Sequence, residues 1–130
     1  MGNYQKPGFW RSLNQAWRGM LCICRTQGHL QFHVFAGISV LCFAWWSEVS
    51  RFEWLILILA IGSVIGAEVM NSALEIVVDM VQPNFHPLAG MAKDVAAGAV
   101  LVTVIQAVVI GLIVFSPTLF RFASKILELV

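Results

Sequence analysis

Residues Trp54 to Val81 read WLILILAIGSVIGAEVMNSALEIVVDMV. The stretch from Trp54 to Ala67 carries no charged side chain, and the helical pattern continues beyond it to about Val81. Glu68, Asn71, Ser72, Glu75 and Asp79 then lie at spacings of 3, 4, 7 and 11 from Glu68. At the turn of an α-helix, about 100° per residue, these five polar side chains share one narrow face. Val69, Met70, Leu74, Ile76 and Val77 occupy the others. An apolar run that continues into a helix with a single polar stripe predicts a membrane span whose last turns carry chemistry. Ionisable groups at membrane depth are costly, and they face a protein interior or a wet cavity. Three carboxylates on one stripe also repel one another and call for a cation.

The whole chain fits that reading. Of 130 residues, 59% are hydrophobic and 12% charged, and the mean hydropathy is +0.83. A soluble domain is roughly 45–50% apolar and about 25% charged. A chain this small cannot hide so much apolar surface in its own core. The composition argues against a soluble monomer, a disordered chain and a nucleic-acid binder, and the net charge of +1 names no partner. Cys22, Cys24 and Cys42 form neither an even set nor a C-x-x-C motif, and read as small apolar fillers.

Outward from Trp54, the sequence divides into one membrane-embedded, all-α domain over residues 1–130, with no internal repeat. Residues 1–28 hold an amphipathic helix. Phe9, Leu13, Ala16, Trp17, Met20, Ile23 and Cys24 fall on one face, opposite Arg11, Asn14, Gln15, Arg18 and Arg25. Aromatic residues against arginines suit a membrane interface, or a helix packed on the bundle. Residues 29–47 form the first span, ending in the aromatic pair Trp45–Trp46. Ser47 to Glu53 is a tight turn, and residues 54–81 and 88–120 are the second and third spans, separated by the loop from Gln82 to Pro87. Residues 121–130 read as a short tail. The chain start has no convincing signal-peptide pattern. Lys6, Arg11, Arg18 and Arg25 precede the first span without an acidic residue among them, which predicts a cytoplasmic N-terminus and a cytoplasmic second loop.

The residues alone leave three roles for the polar stripe. It could tie neighbouring helices together, line a proton or ion path, or hold a divalent metal for phosphate chemistry. Mg²⁺ prefers one or two carboxylates plus substrate phosphates, which Glu68, Glu75 and Asp79 could supply. Lys93 and Asp94 open the third span at a similar level, followed by Ala96, Ala97, Gly98 and Ala99, which allow close helix approach or leave a groove. The chain carries no G-x-x-x-x-G-K-[ST] loop, no protein-kinase signature and no G-x-S-x-G elbow. His29 and His33 are four apart, but no third ligand stands near them.

The order Glu68, Asn71, Ser72, Ala73, Leu74, Glu75, Asp79, followed by His86 and by Ala92-Lys93-Asp94, resembles the E-x-x-N-[ST]-A-[ILV]-E-x-x-x-D signature and downstream A-K-D of the prokaryotic diacylglycerol kinase family. That family includes the undecaprenol kinases. The likeness covers nearly the whole chain from Ala16-Trp17-Arg18-Gly19. The run from Gln82 to Ala89, and Phe115-Ser116-Pro117, look closer to the undecaprenol kinase branch. The resemblance implies a homotrimeric lipid kinase of the bacterial plasma (inner) membrane, with a surface helix, three spans per chain and active sites shared between subunits. It implies transfer of the γ-phosphate of ATP, with Mg²⁺, to the hydroxyl of undecaprenol or diacylglycerol at the cytoplasmic face.

Position by position, the resemblance makes Glu68 the general base beside the lipid hydroxyl and Glu75 a Mg²⁺ ligand. Asn71 and Asp79 support the stripe. Asn84, Phe85 and His86 border the nucleotide, Lys93 and Asp94 contact it, and Ala97 lines the lipid site. Gln15 is the surface-helix position facing the nucleotide, where some relatives have an aromatic. A second metal-binding glutamate of the family falls on Gln27, which offers a neutral oxygen without a charge, so weaker Mg²⁺ binding or a partly impaired enzyme is expected. The alternatives to a kinase are a non-catalytic or weakened membrane oligomer that binds lipid, and a proton or ion path.

Overall fold

The computed structural model describes residues 8–127. Lys6, counted above toward orientation, and residues 128–130 of the tail lie outside the described residues. Among the described residues there are four α-helices and no strand: α1 (Phe9–Thr26), α2 (Gly28–Trp46), α3 (Arg51–Val81) and α4 (Pro87–Leu127). α3 is central. It packs most extensively along α4 and less on α2, while α1 touches α2 and α3.

Helix α1 buries none of its residues within the chain. Phe9, Trp10 and Trp17 are 73%, 79% and 61% exposed, so its apolar face is not satisfied by the rest of the fold. One residue, Gln27, separates α1 from α2. The turn is tied by the amide of Gln31, whose Nε2 donates to the carbonyls of Cys24 at 3.0 Å and Arg25 at 3.4 Å. A helix leaves its last carbonyls unpaired, and Gln31 satisfies two of them from the next helix.

Helix α2 has 19 residues, about 28 Å at 1.5 Å per residue, which matches a hydrocarbon core of about 30 Å. Its chain reverses through Glu48, whose φ of 53° lies in the left-handed region. Glu53, read above as part of the turn, belongs instead to the first turn of α3. The reason is a capping box: Glu53 N–H donates to Ser50 Oγ at 3.3 Å and Ser50 N–H donates to Glu53 Oε2 at 2.6 Å. These reciprocal bonds occupy donors that a helix start leaves orphaned.

The helix α4 starts at Pro87, a residue suited to the first helical position, and continues to Leu127 through the segment read as a tail from Arg121. Pro117 does not end it. Proline deletes the N–H that would reach the carbonyl four residues back. Here Ser116 Oγ donates to that carbonyl, of Ile113, at 2.9 Å. Arg121 Nε donates to the Pro117 carbonyl at 3.3 Å one turn later.

The core lies at the end of the bundle where α2 turns into α3. Ala44, Leu57, Val114 and Phe115 are buried there, with Phe43 edge-on to Phe115 at 4.7 Å between ring centroids. Higher up, buried Gly37 brings α2 against Ile61 of α3: a Cβ on Gly37 would stand 2.9 Å from Ile61 Cγ2. Phe32, Phe35, Leu55, Leu59, Leu101, Ile105, Leu112 and Ile113 remain exposed on the outer faces. So wide an apolar surface is tolerated in lipid, not in water. With α2, α3 and α4 each long and apolar enough to cross a bilayer, the chain is an all-α membrane protein.

Candidate active site

Helix α3 runs for 31 residues, about 46 Å, and so outlasts the hydrocarbon core of about 30 Å. Measured from Trp54, Glu68 stands about 21 Å along the helix, Glu75 about 31 Å and Asp79 about 37 Å. The stripe thus runs from inside the apolar layer to beyond its edge. Burial follows the same order. Glu68 is 5% exposed, Asn71 8% and Ser72 2%, whereas Asp79 is exposed. A carboxyl group at such a site is held by the helix in a place that water barely reaches.

Within the stripe the structure pairs Asn71 with Glu75. Asn71 Nδ2 donates to Glu75 Oε1 at 3.0 Å, an i to i+4 contact along one face. The amide oxygen of Asn71 is buried and lacks a hydrogen-bond partner. An unsatisfied buried acceptor costs about 1–3 kcal/mol. Asn71 is also the polar member of an otherwise apolar groove of about 410 Å³, lined by Ala67, Met70, Ala73, Leu74 and Val77 of α3 and by Ala96 and Ala99 of α4. Small residues at the α4 positions hold the groove open. The residue singled out in the sequence, Ala97, is exposed but does not line this groove; Ala96 and Ala99, three apart and so on one side of α4, do.

At the end of α3 a second recess, about 190 Å³, lies between Asp79, Gln82, Asn84, Phe85, His86 and Lys93. Its loop is built rather than loose. Gln82 Nε2 donates to the Asn84 carbonyl at 3.4 Å. His86 closes the start of α4: its carbonyl accepts from Gly90 N–H at 3.1 Å and its Nδ1 accepts from Leu88 N–H at 3.2 Å. Nδ1 is therefore an acceptor. Phe85 is 94% exposed at the rim. Lys93 Nζ bridges to Asp79 Oδ1 at 2.5 Å across the recess. That pairing was not anticipated from sequence. Its only sequence signal is opposite charges either side of a proline-bounded loop.

The structure thus brings Asp79, Asn84, Phe85, His86 and Lys93 to one recess and joins Asn71 to Glu75. Gln15 is exposed on α1, Gln27 is half-buried at the α1–α2 junction, and Asp94 is exposed beside Lys93 on α4; none of them lines either recess. Among the described residues no three His, Cys, Asp or Glu side chains gather as a self-sufficient metal site. A hard cation that takes one or two protein carboxylates and completes its shell with phosphate oxygens needs no such cluster. Half-buried Glu75, with one oxygen held by Asn71, fits such a ligand. His29 is exposed and His33 packs edge-on to Phe32 at 5.6 Å.

Comparison with known proteins gives this geometry a context. The family model described as "Prokaryotic diacylglycerol kinase" matches residues 14–115. The chain is 41% identical over 111 residues to the undecaprenol kinase of Bacillus subtilis, covering 85% of this chain and 90% of that one. It is 37% identical over 114 residues to a diacylglycerol kinase of a Synechocystis species, covering 87% and 65% respectively. With a diacylglycerol kinase of Escherichia coli the identity is 31% over 105 residues, covering 78% and 86%. The match spans the stripe of α3, the recess and most of α4, and the chain belongs to the prokaryotic diacylglycerol kinase family.

Proposed function

We propose that the protein is a lipid kinase that transfers the γ-phosphate of ATP, with Mg²⁺, to the hydroxyl of a membrane lipid, undecaprenol or diacylglycerol. The observation that carries the reading is the continuity of one polar stripe. It begins at a carboxyl group buried at membrane depth, Glu68, and ends in a water-facing recess that holds a cation, Lys93. The first end suits a lipid hydroxyl and the second a nucleotide. Relatives named as undecaprenol kinase and diacylglycerol kinase support the activity.

The side chains then divide the work. Glu68 accepts the hydroxyl proton as the lipid oxygen attacks. A carboxylate fixed on a helix and shielded from water can take that proton without losing it to bulk solvent. Glu75, oriented by Asn71, holds the metal, with Gln27 as a second and neutral ligand. Mg²⁺, when bound, neutralises the charge on the phosphate oxygens. Asn84, Phe85 and His86 border the nucleotide, with the exposed ring of Phe85 at the rim. Lys93 and Asp94 contact it, and Gln15 approaches from α1. Ala97 contacts the lipid chain beside the α3–α4 groove. We place the recess and the N-terminus on the cytoplasmic face of the bacterial plasma membrane, with α1 in the interface. The exposed outer faces are consistent with a homotrimer in which neighbours complete each site.

The undecaprenol branch is favoured by the B. subtilis relative at 41% identity. The test is to incubate the purified protein in vesicles with γ-labelled ATP, Mg²⁺ and either lipid. Labelled undecaprenyl phosphate or phosphatidic acid supports the kinase and identifies the acceptor. Neither product refutes it.

A further inference from the structure

The described residues contain a single ion pair, between Lys93 and Asp79. It joins side chains 14 residues apart and ties the last turn of α3 to the second turn of α4 across the loop that contains Asn84 and His86. Stability does not account for its placement. Asp79 is in the last turn of α3, where exposed carbonyls carry partial negative charge and disfavour a carboxylate. The pair is also wet, with Asp79 65% and Lys93 35% exposed, and exposed pairs contribute little to folding.

What the pair does is geometric. A free lysine ammonium swings on a flexible four-carbon stem. Asp79 holds that ammonium at the wall of the recess, between the loop and α4. We propose that Asp79 is a positioning residue that presets Lys93 for the phosphates of the nucleotide. Incoming phosphate then meets an ordered cation and need not order a mobile one. The ammonium has three donors, so it can keep the Asp79 carboxylate while bonding a phosphate oxygen. The inference rests on the kinase reading above and adds to Asp79 a role that the stripe alone does not imply.

The test is steady-state kinetics on the full-length protein in vesicles, with Asp79→Asn and Asp79→Glu compared to the unaltered chain. Asp79→Asn should raise KM for ATP about fivefold, the ratio expected for loss of one exposed charge pair. KM for the lipid and the thermal midpoint should not move. Asp79→Glu, which restores the charge on a longer stem, should recover part of the loss. An unchanged KM for ATP in Asp79→Asn overturns the inference. So does a fall in kcat accompanied by a lower thermal midpoint, which would make Asp79 merely structural. Absence of phosphate transfer by the unaltered chain refutes the kinase reading itself, and the inference with it.

Discussion

Replacing Glu68 by glutamine separates the chemistry of this protein from its architecture. Glu68 is 5% exposed and stands within the apolar part of α3. Glutamine has nearly the same shape, so Glu68→Gln leaves no cavity. A buried carboxylate carries a larger desolvation cost than an amide, so folding stability should hold or rise. Activity should move the other way. A positioned general base contributes roughly 10²–10⁴-fold, equivalent to about 3–5.5 kcal/mol of barrier. The assay is transfer of label from ATP to lipid by purified protein in vesicles, alongside a thermal unfolding curve of the same sample. Turnover should fall to about 1% or less, at an unchanged or raised midpoint. Turnover within about threefold of the unaltered chain, less than 1 kcal/mol of barrier, would show that Glu68 takes no proton. Loss of activity together with loss of stability would assign Glu68 to helix packing.

Gln27→Glu should lower severalfold the Mg²⁺ concentration needed for half-maximal rate, read from a metal titration of the kinase assay; an unmoved titration would place Gln27 off the metal. Gly37→Leu should lower stability by about 1–3 kcal/mol, because Gly37 faces the branched Ile61 at close range and neither helix can yield without repacking. Thermal unfolding in detergent measures that loss. Ser50→Ala should cost about 1 kcal/mol by the same measurement, since it removes half of the box that starts α3.

Much of the architecture was legible because the signals are local. Apolar runs of spanning length, the periodicity of the stripe and the two prolines after α3 each act within a few turns of chain. Three long apolar helices follow from them. The start of α3 was legible in principle through the Ser50-x-x-Glu53 capping spacing, which the reading of Ser47 to Glu53 as a turn passed over. The end of α4 was not. The charged residues from Arg121 onward read as a tail, whereas the helix runs on to Leu127, with the Ser116 hydroxyl bonding the carbonyl that Pro117 leaves free.

By itself the sequence determined the solvent and the inventory: a chain for lipid, and a set of acids, amides and one lysine on its helices. Helix periodicity is enough for that, since it places Glu68, Asn71, Glu75 and Asp79 on one face whatever packs against them. Only the tertiary structure decided which of these groups meet. That Asp79 holds Lys93, that Ala96 and Ala99 rather than Ala97 line the groove, and that Asn71 keeps a buried oxygen without a partner depend on how α4 returns along α3. The rotation of one helix against another is set by side-chain packing between them, and no spacing within either strand of sequence encodes it alone.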